Sequence, residues 1–282
     1  METGEAMRSP ALPYGWYPRD RESIALALNA WTDGLEAIGA RAVVCPHAGW
    51  TFSGRLAAMA IASLKAVDTV VVIGGHLAPG SPILCAREKA FGTAAGEIRA
   101  DAALLKALGD ELLEAGIPHP APDLEADNSV EVLLPMVAIL HPGAEILWLR
   151  SPPRSAAKEL GAAIGRASIA LGKNVACVGS TDLTHYGPAY GFTPAGLGEK
   201  AEKWVKGTND KAFIDALLDM NGDAVLALAA KKGSACSAGA AAAAIGFALE
   251  TGSTEARLLA YSTSLEVRRD DSFVGYAAVA FL

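Results

Sequence analysis

The chain has 282 residues, 51% of them apolar and 20% charged, with a formal net charge of −7. That composition suffices for a sizeable buried core and excludes a disordered chain. The acidic balance offers no basic stripe for phosphates, so nucleic acid and anionic membrane surfaces are excluded as expected partners; a small molecule or a protein is the expected ligand.

At the N-terminus no basic stretch precedes an apolar run and a small-residue cleavage site, which predicts a cytoplasmic protein. From there, short β-rich apolar runs alternate with longer Ala- and Leu-rich stretches. The runs predict strands at residues 41–45, 69–74, 145–150, 175–180, 257–265 and 274–281. The stretches predict helices at 53–65, 101–114, 129–140, 155–171, 196–219, 223–229 and 237–250. This alternation predicts an α/β fold, a central β-sheet flanked by helices on both faces. Its last two strands follow one another across a polar turn at 268–271, so they should form an antiparallel hairpin and make the sheet mixed. Segments 118–127 and 188–197 read as surface loops, and neither divides the chain, so residues 1–282 are expected to form one domain. The apolar runs at 70–73 and 238–249 are too short or too alanine-rich for a bilayer-spanning helix of roughly twenty apolar residues.

Candidate chemistry gathers at strand ends. His47 follows the first strand in Cys45-Pro46-His47-Ala48-Gly49-Trp50, His76 follows the second in Gly74-Gly75-His76, and His185 follows the fourth in Thr181-Asp182-Leu183-Thr184-His185-Tyr186-Gly187. In open α/β sheets, ligands bind in the crevice beyond the carboxyl ends of the strands. A lone histidine beside a turn is ordinarily structural, but three at one expected edge suit a metal, for which neutral imidazole is the commonest ligand. The glycines beside His47 and His76 would let the backbone turn sharply or approach a ligand closely. His119 and His141, in proline-flanked loops, read as structural.

Cys236 directly precedes an alanine-rich helix, whose unsatisfied amides and macrodipole stabilise a thiolate. Cys45, Cys85 and Cys177 lie in apolar runs and should be small buried hydrophobes. With no CxxC pair, neither a disulfide scaffold nor a four-thiolate zinc site is indicated. Asp182 could orient a ring N–H or hold a substrate proton, or merely brace its turn. Asp127-Asn128-Ser129-Val130-Glu131 reads as a helix start, with Asn128 or Ser129 as the cap.

Together these motifs resemble the Memo family, whose bacterial and archaeal members are called AmmeMemoRadiSam system protein B. The resemblance runs in order through Gly15-Trp16-Tyr17-Pro18, Pro46-His47-Ala48-Gly49-Trp50-Thr51-Phe52-Ser53-Gly54, Gly74-Gly75-His76, Asn128-Ser129-Val130-Glu131, the Ser180–Gly187 segment, Cys236, and Tyr261-Ser262-Thr263-Ser264 through Val274-Gly275-Tyr276. It implies a fold similar to class III extradiol dioxygenases. It also implies one metal ion on His47, His76 and Cys236, with His185 and Asp182 as catalytic groups and Trp50 and Asn128 lining the substrate pocket. A thiolate in place of the carboxylate of a two-histidine facial triad softens the site, favouring iron(II), with copper or zinc as alternatives.

The implied function is a non-haem iron oxidoreductase of extradiol-dioxygenase type acting on a small metal-chelating substrate. The alternative is a non-catalytic or copper-redox binding protein that uses the same pocket for partner recognition. AMMECR-type and radical SAM proteins are the implied protein partners. The chain departs from the resemblance at Asn128, where many relatives carry histidine, and at Ser237, where glycine is common.

Overall fold

A computed structural model describes residues 7–36 and 38–282, so residues 1–6, part of the stretch read for a secretory signal, lie outside the described residues. Helix α1 (Arg21–Thr32) opens on Asp20, whose carboxylate accepts the Ser23 N–H, and buries Ile24 and Leu28. No element is expected there from the sequence, although Ile24 and Leu28 stand one turn apart. Strand β1 (Ala42–Cys45) leads into α2 (Trp50–Ala62) and β2 (Thr69–Gly74), close to the expected bounds. Four unexpected short strands follow: β3 (Leu84–Cys85), the hairpin pair β4 (Ala90–Thr93) and β5 (Gly96–Arg99), and, beyond α3 (Ala102–Glu114), β6 (Ala121–Pro122).

The single helix expected at 129–140 is two, α4 (Asn128–Glu131) and α5 (Leu134–Leu140). Pro135, in the first turn of α5, lacks the N–H that a continuous helix would need. Strand β7 (Glu145–Arg150), α6 (Ala156–Leu171) and β8 (Val175–Ser180) match expectation, and the short β9 (His185–Tyr186) was not expected. The helix expected at 196–219 is broken into α7 (Glu199–Trp204) and α8 (Asp210–Leu218) by one wide π-type turn, Val205–Asn209. The chain ends with α9 (Gly222–Lys232), α10 (Ala238–Glu250), β10 (Ala256–Thr263) and β11 (Phe273–Phe281).

The main sheet has the order β10-β11-β1-β8-β2-β7-β3-β6, with β9 paired to β11. Strands β1, β8, β2 and β7 run parallel, while β10 and β11 form the expected antiparallel hairpin and β3 is antiparallel to β7. The fold is mixed α/β. Side chains alternate across the parallel strands: Val43, Val70, Val72, Ile146 and Val178 pack under α1, α2 and α5. Val44, Val71, Ile73, Leu147 and Cys177 pack under α3, α6, α8 and α10. Both faces are therefore apolar, as parallel strands covered by helices require. Among the described residues no helix is long and apolar enough to cross a membrane.

Helix α10 owes its place to small side chains. Ala240–Ala244 are fully buried, and the helix approaches α6 so closely that a Cβ on Gly161 would meet the Ala243 carbonyl oxygen and one on Gly246 the Lys158 carbonyl oxygen. Neither obstacle is a flexible side-chain end. Gly161→Ala and Gly246→Ala are each expected to destabilise the protein by about 1–3 kcal/mol or more, since overpacking must move a backbone. Denaturant melts check this; an unchanged midpoint for both would contradict the packing described.

Candidate metal centre

Strands β1, β8 and β2 are consecutive and parallel, so their carboxyl ends share one edge of the sheet. His47, Asp182 with His185, and His76 follow those ends. Main-chain bonds hold the edge together: the Thr181 N–H donates to the Cys45 carbonyl at 2.9 Å and the Cys236 N–H to the Asp182 carbonyl at 3.2 Å. Gly74 and Gly75 serve a different purpose from the expected sharp turn. A Cβ at Gly74 would strike Ser129, and one at Gly75 would strike Ser237, so both admit neighbouring segments against the end of β2. The left-handed turn falls on His76 itself, at φ 58°. A non-glycine residue held there is strained, and such strain clusters at functional sites.

His47, His76 and Cys236 each offer one ligand atom, and these atoms lie within 4.8 Å of one another. The His47 Nε2 and Cys236 Sγ are 3.3 Å apart, and the two imidazoles meet edge to face with centroids 4.8 Å apart. Each ring is oriented through its other nitrogen: His47 Nδ1 lies 2.9 Å from Ser180 Oγ, and His76 Nδ1 lies 3.2 Å from Asp127 Oδ2. Nδ1–H donation to those oxygens leaves the Nε2 lone pairs available, the arrangement by which outer partners fix metal-binding histidines. Two imidazoles and a thiolate form a donor set that suits a first-row transition metal and fits magnesium or calcium poorly.

Asp182 is buried, and its Oδ1 accepts the His47 backbone N–H at 2.8 Å. Its Oδ2 lies 3.8 Å from His185 Nε2 and 4.0 Å from His47 Nε2. The His185 Nε2 is buried and has no hydrogen-bond partner within bonding distance, and its ring packs on Tyr190 with centroids 4.9 Å apart. Asn128 donates to the His47 carbonyl at 3.2 Å.

These contacts perturb the three imidazoles and the thiol. Burial raises the Cys236 thiol, but His47, His185 and His76 outweigh it and bring its pKa well below the ordinary value. The hydrogen bond to Asp127, followed by that to Cys236, lifts His76 to about 10. Burial works against charge on His185, yet Asp182 and then Cys236 prevail and raise it to about 9. His47 also rises, burial being outweighed by Cys236 and Asp182. In contrast, burial pushes the Cys85 thiol up to about 12, and Cys45 and Cys177 rise likewise, as expected of small core residues.

A cavity of about 480 Å³ opens over this group, lined by His47, His76, Asp182, His185 and Asn128 together with Trp16, Phe52, Tyr190 and Tyr276. Trp50 does not line it. Its ring is buried against Trp31 and Tyr17, and its indole N–H donates to the Val132 carbonyl at 3.0 Å, so the expected pocket role gives way to a core one. The α4 cap is Asp127, in place of Asn128 or Ser129: Oδ1 accepts the Ser129 N–H at 2.9 Å while Oδ2 holds His76. Glu131 turns to the N-terminal segment, accepting the Ala11 and Leu12 N–H groups at 3.0 and 2.9 Å and the Tyr17 hydroxyl at 2.8 Å. The segment so held brings Trp16 to the cavity wall. His119 is exposed and His141 bonds the Ile61 carbonyl at 2.9 Å, both away from the site.

The family model described as "Memo-like protein" matches residues 8–280. The chain belongs to the Memo family. It is 31% identical to a MEMO1 family protein of Methanococcoides burtonii over 97% of this chain and 99% of that protein. It is 32% identical to one of Thermococcus kodakarensis over 98% of this chain and 99% of that one. The crystal structure of an uncharacterized Escherichia coli K12 protein is similar in fold, with a TM-score of 0.52 at 15% identity, covering 84% of this chain and 98% of that one.

The raised imidazoles make stability depend on pH in this Memo-family chain. A histidine whose folded pKa exceeds its unfolded value of about 6.5 stabilises fully below that pH and loses its contribution as pH rises through the folded pKa. For His185 and His76 that loss runs up to about 9 and about 10. The lowered Cys236 works oppositely, one thiol against the raised imidazoles. Chelator-treated protein is therefore expected to melt at falling temperature from about pH 7 to about pH 10, and His76→Gln to flatten the upper part of that slope. A melting temperature that climbs through this range would contradict the charge arrangement.

Proposed function

We propose that this Memo-family protein is a metal-dependent oxidoreductase of extradiol-dioxygenase type. It would hold one ion, iron(II) foremost and copper or zinc otherwise, on His47, His76 and Cys236, and act on a small metal-chelating substrate. The observation that carries this reading is the convergence of the three ligand atoms within 4.8 Å beside a cavity that His185 and Asp182 also line.

When bound, the ion supplies Lewis acidity and open positions for a chelating substrate and for dioxygen as co-reactant. The protein's own groups do the rest. Trp16, Phe52, Tyr190 and Tyr276 offer apolar surface that suits an aromatic substrate and limits water. His185 presents Nε2 at 3.8 Å from Asp182 Oδ2, and a proton on that nitrogen would pass to a substrate oxygen, or a bare Nε2 would take one from a substrate hydroxyl. Asp127 and Ser180 keep His76 and His47 turned toward the ion. Asn128 can offer hydrogen bonds but cannot relay a proton, so acid/base work falls on His185 alone.

Asn128 also favours the second reading, a binding protein that uses this pocket without turnover, with AMMECR-type or radical SAM proteins as partners. Oxidant production on adding copper, abolished by Cys236→Ser, would instead mark a copper-redox protein.

Anaerobically purified protein is expected to contain iron, and His47→Ala, His76→Ala and Cys236→Ala to lose it; full metal content in all three variants would remove the site assignment. Spectroscopic titration with catechol-type chelators tests open coordination on the same samples. With a substrate found, His185→Ala is expected to lower turnover by about 10²- to 10⁴-fold while retaining metal. Unaltered turnover would exclude His185 as the acid/base group.

A further inference from the structure

Asn209 and Asp210 stand where α7 passes into α8 through the wide turn Val205–Asn209. An inserted residue rotates everything beyond it by about 100° relative to an unbroken helix, and such turns recur at functional sites. Here the rotation aims two fully buried polar side chains at Thr184. Asp210 Oδ1 accepts both the Thr184 backbone N–H, at 3.1 Å, and the Thr184 hydroxyl; Oδ2 accepts the Tyr261 hydroxyl at 2.8 Å. Asn209 Nδ2 donates to Thr184 Oγ1 at 2.9 Å and to the Lys232 carbonyl at 3.1 Å.

From the other side, the Gly275 N–H of β11 donates to the Thr184 carbonyl at 3.0 Å, and the Leu183 N–H donates to the Gly275 carbonyl at 2.8 Å. A side chain at Gly275 would collide with Asp210. Thr184 is thus gripped at its N–H, its carbonyl and its hydroxyl, directly beside His185. Lys232 ends α9, from which residues 233–235 lead to Cys236. Burying a carboxylate is costly: burial raises Asp210 to about 6 against the opposing bonds from Thr184 and Tyr261. An apolar residue would support a core at less cost, whereas a carboxylate can fix the direction of several donors at once and an amide NH2 that of two acceptors.

We propose that Asn209 and Asp210 are positioning residues that fix the His185 loop through Thr184 and tie it, through the Lys232 carbonyl, to the segment carrying Cys236. The inference rests on the role proposed for His185, but its test needs no turnover.

In chelator-treated protein, the His185 ring resonances, assigned by their loss in His185→Gln, report the loop directly, and thermal melting reports stability. Thr184→Val removes the hydroxyl that Asn209 and Asp210 share while keeping the side-chain volume. Thr184→Ser restores it. Tyr261→Phe removes the one Asp210 partner outside the loop. The His185 resonances are expected to shift in Thr184→Val, to return in Thr184→Ser, and to stay in place in Tyr261→Phe even where the melting temperature falls as far. Equal shifts in Thr184→Val and Tyr261→Phe, or none in either, would make the pair a plain core support.

Asn209→Ala, which leaves the Asp210 bonds intact, serves as a second variant should Thr184→Val fail to fold. It is expected to raise the dissociation constant for cobalt(II) by about 10-fold, the lower end of what outer partners of metal ligands contribute; unchanged affinity overturns the tie to the Cys236 segment. Absence of dioxygenase activity would refute the proposed reaction and leave these readings standing.

Discussion

The geometry of the site depends on Asp182 more than on any ligand. Its main-chain carbonyl receives the Cys236 N–H, its Oδ1 receives the His47 N–H, and its Oδ2 faces both His47 and His185. A buried carboxylate is tolerated only where donors surround it. Here its carboxylate takes the His47 N–H and its main-chain carbonyl the Cys236 N–H, so one residue fixes the mutual placement of two separate stretches of chain. The same charge favours protonated imidazole on its neighbours, and this joins the architecture of the site to its electrostatics.

That convergence would be idle without the packing behind it. Cys236 enters the site because α10 lies flush against α6 and the sheet, and it lies flush because glycines and alanines occupy its closest contacts. At the end of β2, Gly74 and Gly75 likewise let Ser129 and Ser237 close in. The apolar core and the polar site are therefore built by one device, close backbone approach. Small residues in α10 weaken its own propensity little, since alanine is the best helix former.

How far the sequence foretold this can be traced residue by residue. Runs such as Thr69–Gly74 and Glu145–Arg150 were legible as strands because parallel strands covered on both faces are continuously apolar. The strand-end histidines were legible because the parallel order places their ends together, and the thiol because it stands just before the alanine-rich α10. Short strands such as Leu84–Cys85 were not, since two residues carry no periodicity. Nor was either use of Asp127: the cap was expected one or two residues later, and its grip on His76 depends on a tertiary approach. Trp50 shows the converse: its place in a motif says nothing of which way the indole faces, and the Val132 carbonyl decides that. Asn209 and Asp210 lie inside a stretch that reads as plain helix, where a wide turn leaves no local signature.

Asn128 separates what the site can hold from what it can do. The three potential ligands come together without it, and its amide is engaged with the His47 carbonyl, so it braces the backbone beside that group. Histidine at this position would place another titrating ring beside His47 and His76, groups whose protonation is already coupled through Cys236. An amide avoids that competition and leaves the thiolate to be neutralised by the ligand histidines or by a metal. On the proposed reading, proton chemistry would be concentrated on His185, an imidazole that lines the cavity and lies outside the group of three potential ligands. Its precision would then depend on the loop that carries it, so on that reading the supports of Thr184 would matter to turnover as the three potential ligands would to metal binding.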